Sequence, residues 1–474
     1  MKYLPTIGVE CHVQLSTKTK LFAAVGNDAR QAPPNTLISH ICVGLPGALP
    51  VLNEKALGLA ARAAFALNTA PQKFSKFDRK HYFYPDLPKG YQITQYEQPI
   101  ITGGYLEVPL DGQVNKVSIE RVNLEEDAGK NTHPDGADFS LVDLNRAGTP
   151  LLEIVSRPDM HSAAEAKAFA RELWLTMKYA GVTDGDLYHG HVRFDVNISL
   201  SADAQKLGTR SEIKNLNSFR SVEGAVAYEI KRQTEVLEKG GKVVQETRGW
   251  DEAKQKTTSQ REKEEAHDYR YMPEPDIPPI ELTDDYVKKI QTDLPTLPST
   301  IRDELKKIEL DDRIVEEILD SPALANVVLQ HLDLAGSEDA RPITFWLLSI
   351  TPSLEKEPAK TLANLEHLPN LAKLLGAGKV SSTAAKSIFD KMSKSGGEPE
   401  EIAKNLNLLQ VSDEVEIEKI VAGVLAENQK AAEDVKKGKT KAIGFLVGQV
   451  MAKSQGKANP GLAQQIIKKQ LGIQ

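Results

Sequence analysis

The stretch Ile7-Gly-Val-Glu-Cys-His12 decides how the rest of the chain is read. In an extended strand successive side chains point to opposite faces, so Glu10 and His12 share one face while Val9 and Cys11 share the other. The same alternation returns in Arg193-Phe-Asp-Val-Asn-Ile-Ser199, where Arg193, Asp195, Asn197 and Ser199 face one way. It returns again in Arg210-Ser-Glu-Ile-Lys214, which aligns Arg210, Glu212 and Lys214. One alternating strand is commonly half of a solvated sheet. Several of them, far apart in sequence and each mixing acids, amides and bases, point instead to a polar cleft built on a sheet.

Outward from these strands, residues 1–285 read as short alternating runs bounded by Gly, Pro, Asn and Asp. Three helices interrupt them: 54–68, rich in Ala and Leu; 162–180, opened by Ser162 three residues before Glu165; and 222–238, ended by Gly240-Gly241. Many strands with a few long helices predict an α+β domain around a mainly antiparallel sheet. The proline-dense stretch 268–279 can neither continue a helix nor join a central strand, so it is expected as an ordered extended segment closing the domain. After Thr283 the pattern becomes short amphipathic helices punctuated by Pro and Gly: 284–292, 300–309, 311–321, 322–334, 358–365, 369–376 and 381–395. A last module carries helices at 412–433, 440–454 and 461–471. The expected division is therefore 1–285, an all-α connecting domain 286–405, and a small helical tail 406–474.

The bulk properties agree with such a chain. At 474 residues, with 40% apolar and 26% charged residues, it is long enough for several cores. The net charge of −7 requires no nucleic-acid partner, but residues 430–474 hold nine lysines against Glu433 and Asp434. Aromatic residues are nearly absent there, so any nucleic-acid contact is expected at backbone phosphates. Two cysteines, Cys11 and Cys42, exclude a disulfide framework and suit a reducing compartment. No basic and apolar leader and no apolar run of membrane-spanning length occurs, so a cytoplasmic protein without membrane contact is expected.

Carboxylates crowd the centre of the first domain, in Glu120-Arg-Val-Asn-Leu-Glu-Glu-Asp127 and in Asp143 to Glu153. Glu153 stands between Leu151, Leu152, Ile154 and Val155, and a charge in such text needs a partner or a metal. Crowded carboxylates raise one another's pKa unless a cation relieves them, and Mg²⁺ is the hard ion suited to carboxylates and phosphates. Lys80, Lys89, Lys130, Arg157, Arg210 and Lys214 are available to clamp phosphate oxygens or a substrate carboxylate. Neither a Walker loop nor G-x-G-x-x-G occurs, so a nucleotide would be held by neither glycine fingerprint. The basic, aromatic stretch 78–90 is the local alternative for base stacking and phosphate contact.

Several stretches, Gly8-Val-Glu-Cys-His-Val-Gln-Leu15, residues 77–92, Leu124-Glu-Glu-Asp-Ala-Gly-Lys130, residues 143–153, Ser211-Glu-Ile-Lys-Asn-Leu-Asn217 and Asp268-Tyr-Arg-Tyr271, closely resemble the B subunits of aspartyl/glutamyl-tRNA amidotransferases. The likeness is long and specific over about 5–282, looser in the helical region, and recovers at Lys441 to Val450 and Gly456 to Pro460. The resemblance implies a cradle-shaped, kinase-like first domain and a tail that grips tRNA. It implies an enzyme that uses ATP and Mg²⁺ to phosphorylate the side-chain carboxylate of Glu-tRNA(Gln) and/or Asp-tRNA(Asn). Ammonia from a separate glutaminase A subunit then forms the amide, and a small C subunit completes a heterotrimer. On that template Glu10, His12 and Glu125 are metal ligands, Glu153, Asp195, Asn197, Arg210, Glu212 and Lys214 line the activation site, and Lys80, Lys89 and Arg157 meet the nucleotide.

One departure from the family pattern changes an expectation. Many members carry a four-cysteine zinc knuckle, whereas this chain has Phe22-Ala-Ala-Val-Gly26 and Ser39-His-Ile-Cys42 in its place. A single thiol beside His40 does not make a closed tetrahedral site, so no structural zinc is expected. Two competing readings are a non-catalytic tRNA-binding or assembly protein on the same fold and an ATP-dependent ligase of a small carboxylate. The acids and bases of the cleft argue against the first, and the lysine-rich tail against the second.

Overall fold

A computed structural model describes residues 3–134, 136–262, 269–410, 414–437, 440–454 and 458–473. It divides into two compact units, Met1–Ser299 and Thr300–Gln474. The first unit is built on a nine-stranded sheet in which β1 (Leu4–Gln14) lies in the middle. After α1 (Glu54–Ala66) come the short strands β2 (Phe74–Ser75), β3 (Asp78–His81), β4 (Tyr91–Thr94) and β5 (Ile101–Thr102). The hairpin β6 (Tyr105–Leu110) and β7 (Gln113–Glu126) turns through Asp111 and Gly112, both at positive φ, as a two-residue hairpin loop requires. Then follow β8 (Lys130–Thr132), β9 (Leu141–Asp143), β10 (Pro150–Ser156), α2 (Ala163–Tyr179), β11 (Val192–Ser201), β12 (Ser211–Leu216) and α3 (Phe219–Glu238). The unit closes with β13 (Glu246–Asp251), β14 (Lys256–Glu262), β15 (Met272–Pro273), β16 (Ile280–Glu281) and α4 (Asp284–Thr292).

The main sheet runs β14-β13-β12-β11-β1-β10-β7-β5, with β6 also on β7. Its pairings are antiparallel except for β12 with β13. Ile7, Val9, Cys11 and Val13 pack into one core with the inner faces of α2 and α3, such as Phe169, Leu173, Val222 and Val226. Burying one face against helices leaves the opposite face of the central strands free to carry polar groups. Cys11, on the apolar face of its strand, is fully buried there.

The helix ends obey their sequence signals. Ser162 accepts from the Glu165 amide at 3.1 Å, and Ser218 accepts from the Ser221 amide at 3.0 Å. Gly240, at φ +72°, and Gly241 close α3 by returning their amides to Leu237 and Val236. The described part of the proline-dense segment is extended: β15 pairs with β3 and β16 with β2, and Glu274 holds Arg79 through two hydrogen bonds of 2.7 and 2.9 Å. Asp268 lies outside the described residues. Helix α4 packs on α1 and belongs to the first unit.

The second unit is helical among its described residues: α5 (Pro298–Lys306), α6 (Asp312–Leu319), α7 (Pro322–Ser349), α8 (Thr351–Lys356), α9 (Pro358–Asn364), α10 (Leu368–Gly376), α11 (Ser382–Ser395) and α12 (Pro399–Asn405), then α13 (Glu414–Glu427), α14 (Gln429–Lys436), α15 (Thr440–Lys453) and α16 (Pro460–Leu471). Three expectations change. Helix α7 does not end at 334 but runs on to Ser349 through Pro342, whose backbone penalty is opposed by burial of Ile343, Trp346 and Leu347. The stretch 412–433 is two helices broken at Asn428, and α8 and α12 are additional to the expected helices. The last four helices share a core of Ile417, Val421, Leu446, Val450 and Ile466. Three of the tail lysines, Lys437, Lys453 and Lys469, are paired with Glu433, Glu427 and Glu418.

Candidate active site

The register of three strands assembles the site. Glu10 lies between Asp195 of β11 and Val155 of β10, and His12 between Arg193 and Glu153. One strand further, Glu153 lies opposite Asn123, whose side-chain amide donates to it at 2.5 Å. Period-two alternation then puts Glu10, His12, Glu153, Asp195, Asn123 and Glu125 on one face of neighbouring strands. Glu10, His12, Glu125, Glu153 and Asp195 line a cavity of about 230 Å³ together with Lys80, Tyr82, Asp127, Arg193, Lys214 and Asn215.

The distances are short enough for mutual control of charge. His12 Nε2 lies 3.7 Å from Glu10 Oε1 and 3.8 Å from Glu125 Oε1. Lys214 Nζ sits 3.3 Å from both Asp195 and Glu212. Asp195 also accepts the Asn215 amide at 2.8 Å, and Asn215 takes φ +60° to give it. Arg193 is held by Asp127 at 2.9 Å, while Arg146 approaches the same carboxylate at 3.3 Å. Glu125 Oε2 accepts from the Thr94 hydroxyl at 2.8 Å.

Titration splits the carboxylates. Burial, then the charges of Glu153 and Asp195, push Glu10 well above the usual range. Burial and Glu153 push Glu125 up to about 7. Burial also presses on Glu153 and Asp127, but His12 and Lys80 hold the first below its ordinary value, and Arg193 and Arg146 the second. Against the desolvation that opposes their charge, the surrounding acids and tyrosines keep the Lys80 ammonium firmly protonated, and Asp195 and Glu212 do so for Lys214. The cavity thus holds fixed cations beside two carboxyl groups, Glu10 and Glu125, whose ionisation burial and neighbouring acids oppose.

A divalent ion fits these groups. Ligand atoms of Glu10, His12 and Asp195 come within 4.8 Å of one another. Two carboxylates and an imidazole suit a hard to borderline divalent cation. Asp195 stands closer to this group than its expected role as a lining residue implied, and Glu125 adjoins it through His12.

The other expected residues are distributed more widely. Asn197 and Arg210 line a second cavity of about 430 Å³ that shares Glu10 with the first. Glu212 is present through Lys214. Lys80 lines the central cavity, but the Lys89 ammonium is bound by Glu126, which also accepts the Ile93 amide. Arg157 is exposed and lines neither cavity. Asp143 and Asn145 are not cleft residues: they accept the amides of Asn35, Thr36 and Leu37 and pin that loop. Sequence reasoning did not assign roles to Arg193, Asp127, Tyr82 or Asn215. The first two carried a signal, the same alternation that marked Asp195 and Glu125; Tyr82 follows β3 within the aromatic stretch 78–90, and Asn215 lies in β12 at positive φ, which alternation does not mark.

Comparisons with known proteins identify the family. Residues 5–288 match the family model of the GatB/GatE catalytic domain, and residues 334–471 match the GatB domain. The B subunit of an aspartyl/glutamyl-tRNA(Asn/Gln) amidotransferase from Carboxydothermus hydrogenoformans is 43% identical over 486 residues, covering 99% of each chain. The proteins of that name from Thermoanaerobacter pseudethanolicus and Persephonella marina are each 44% identical, over 99% of this chain and 100% of theirs. With the catalytic-domain model spanning more than half of its length and relatives aligned from end to end, this chain belongs to the GatB family of aspartyl/glutamyl-tRNA(Asn/Gln) amidotransferase B subunits.

Proposed function

We propose that the chain is the activating and amidating subunit of a tRNA-dependent amidotransferase, a carbon–nitrogen ligase of protein synthesis. It takes Glu-tRNA(Gln) and/or Asp-tRNA(Asn), phosphorylates the side-chain carboxylate with ATP, and replaces the phosphate by ammonia supplied by a glutaminase A subunit, within a heterotrimer completed by a small C subunit. The observation that carries this reading is the cavity where Lys80, Arg193 and Lys214 stand among Glu10, Glu125, Glu153 and Asp195. Phosphoryl transfer to a carboxylate needs positioning and charge neutralisation, and no protein nucleophile.

In the first step a substrate carboxylate oxygen bonds to the γ-phosphorus, the bridging β–γ P–O bond breaks, and ADP leaves. Lys80 and Lys214, held protonated by their neighbours, are placed to neutralise the equatorial oxygens, and Arg193, fixed by Asp127, orients one of the two anions. In the second step ammonia bonds to the acyl carbon, the C–O bond breaks, and inorganic phosphate departs. The proton lost by the nitrogen has acceptors in the same carboxylate cluster. Glu10, His12 and Asp195, with Glu125 beside them, would hold Mg²⁺, which would supply neutralisation of phosphate charge.

The test is amide formation on mischarged Glu-tRNA or Asp-tRNA with ATP, Mg²⁺, free ammonia and the purified chain, with and without the partner subunits. Amide and ADP in equal amounts are expected. ATP consumption without amide, and no acyl phosphate trapped by hydroxylamine, would leave the enzymatic reading without support.

A further inference from the structure

Lys20 is one of the largest fully buried side chains among the described residues, at 1% exposure. A lysine is hardly ever enclosed so completely without a carboxylate partner. Its Nζ has none within ion-pair distance among the described residues: it lies 2.5 Å from the Ala147 carbonyl oxygen, 3.4 Å from that of Leu144 and 3.6 Å from Cys42 Sγ. Cys42 keeps 5% exposure, two residues from the exposed His40, and its sulfur also meets Ser39 Oγ at 3.4 Å. We infer that Lys20 and Cys42 form a redox-sensitive modification site, joined by a reversible S–N bond when a peroxide oxidises the thiol.

Amine and thiol stand close enough to react once the sulfur becomes electrophilic. The Cys42 sulfur attacks one peroxide oxygen, the O–O bond breaks, and the thiol proton leaves with the other oxygen as water. Sulfur is thereby oxidised by two electrons to a sulfenic acid, and the peroxide is reduced. The neutral Lys20 amine then attacks that sulfur, the S–O bond breaks, and the hydroxyl leaves as a second water with a proton from nitrogen. Thiol, amine and peroxide thus give the S–N bond and two waters. Burial holds the Lys20 ammonium below its ordinary pKa against the opposing charges of Cys42, Glu126 and Asp143. Converting the thiol to a sulfenic acid removes the first of these charges and frees the amine to react. Gly148, at φ +84°, leaves room for the movement: a Cβ there would stand 3.4 Å from Lys20 Cδ and 3.9 Å from Cys42 Sγ.

Cys11 has neither an amine beside it nor access. It is fully buried in the core, and burial with the charges of Asp195 and Glu10 pushes its thiol up, away from the reactive thiolate. The bond at Cys42 reaches the cleft through the turn 144–149. Lys20 Nζ donates to the Leu144 and Ala147 carbonyls of that turn, and the Leu21 amide donates to the Gly148 carbonyl at 2.9 Å. Arg146, in the same turn, approaches Asp127, which fixes Arg193. Drawing Nζ onto the sulfur releases the two carbonyls and loosens the turn that carries Arg146. This effect on catalysis rests on the proposed activity, whereas the bond itself does not.

The test is peptide mass spectrometry of the full chain after treatment with hydrogen peroxide, with and without dithiothreitol. A peptide joining residues 20 and 42 is expected, lighter than the sum of its parts by about 2 Da, absent from Cys42→Ser and Lys20→Met and undone by dithiothreitol. Cys11 should stay a free thiol. In the assembled enzyme with saturating ammonium, peroxide should lower the wild-type kcat about tenfold, reversibly, and leave Cys42→Ser unchanged. Circular dichroism confirms that each variant is folded. The assignment is overturned by sulfinic acid gathering on Cys42 equally fast in the wild type and Lys20→Met with no joined peptide, by a joined mass that keeps a peroxide oxygen, or by oxidation of Cys11 before Cys42. A cross-linked enzyme with unchanged kcat would overturn the route through Arg146.

Discussion

Glu125→Gln should stabilise the metal-free protein while disabling it. Glu125 is 5% exposed, and burial together with the Glu153 charge lifts its carboxyl from the ordinary 4.5 to about 7. A group that binds its proton more tightly when folded stabilises the fold below its unfolded pKa, and that advantage is lost as pH rises through the folded value. Ionisation therefore opposes folding by about 1 kcal/mol near pH 5, and by about 3 kcal/mol near pH 8. Glutamine has the same shape, cannot ionise, and keeps an oxygen for the Thr94 hydroxyl. Urea denaturation of the wild type and the variant in EDTA, followed by circular dichroism at both pH values, reads the difference. The variant is expected to unfold at higher urea near pH 8 and almost together with the wild type near pH 5. Added Mg²⁺ should raise the wild-type midpoint at pH 8 and raise the variant's less, since Glu10, His12 and Asp195 remain. Coincident curves at both pH values, or a variant less stable at pH 8, would refute the argument that Glu125 is strained by its own charge.

Other perturbations address separate parts of the molecule. Lys80→Met removes a cation from the wall shared by two cavities, and ammonia-dependent amidation should fall about a hundredfold or more in kcat without loss of the folded-state spectrum. Deleting residues 406–474 removes a helical group that has its own core, so tRNA affinity should drop while ADP binding to the first unit persists; unchanged tRNA affinity on a filter-binding assay would sink the tail's assignment. Elemental analysis of the purified protein should find no stoichiometric zinc, since Cys42 Sγ adjoins Lys20 Nζ at 3.6 Å and Ser39 Oγ at 3.4 Å in place of a thiolate set.

The alternating strands were legible because period two is a local property: Glu10 with His12, Arg193 with Asp195, and Glu153 in apolar text each announced a polar face. The cap Ser162 and the Gly240 terminator obey rules confined to one turn, so the helices of the first unit lie within a few residues of their expected bounds, α3 starting three residues early behind Ser218, a cap outside the expected span. Helix α7 defeated the same reasoning because Pro342 is a local stop that burial of its neighbours overrides. The break at Asn428 likewise reflects how α13 and α14 each meet the tail's core, which the local pattern does not record.

The sequence by itself determined which faces are polar, and therefore that β1, β10, β11 and β12 could form a cleft. Only the tertiary structure decided which polar groups meet there. Strand order set β1 between β10 and β11, and register then put Asp195 rather than Asn197 opposite Glu10, a choice of two residues along one face. That step separates Asp195, within reach of a metal with Glu10 and His12, from Asn197, in the wall of the next cavity. Loop closure delivered Lys89 to Glu126, while the pairing of β3 with β4 delivered Lys80 to the cleft, although both are lysines of one basic stretch. Alternation is written in consecutive residues, whereas register and loop closure depend on how distant segments bury their other face, and no short stretch carries that information.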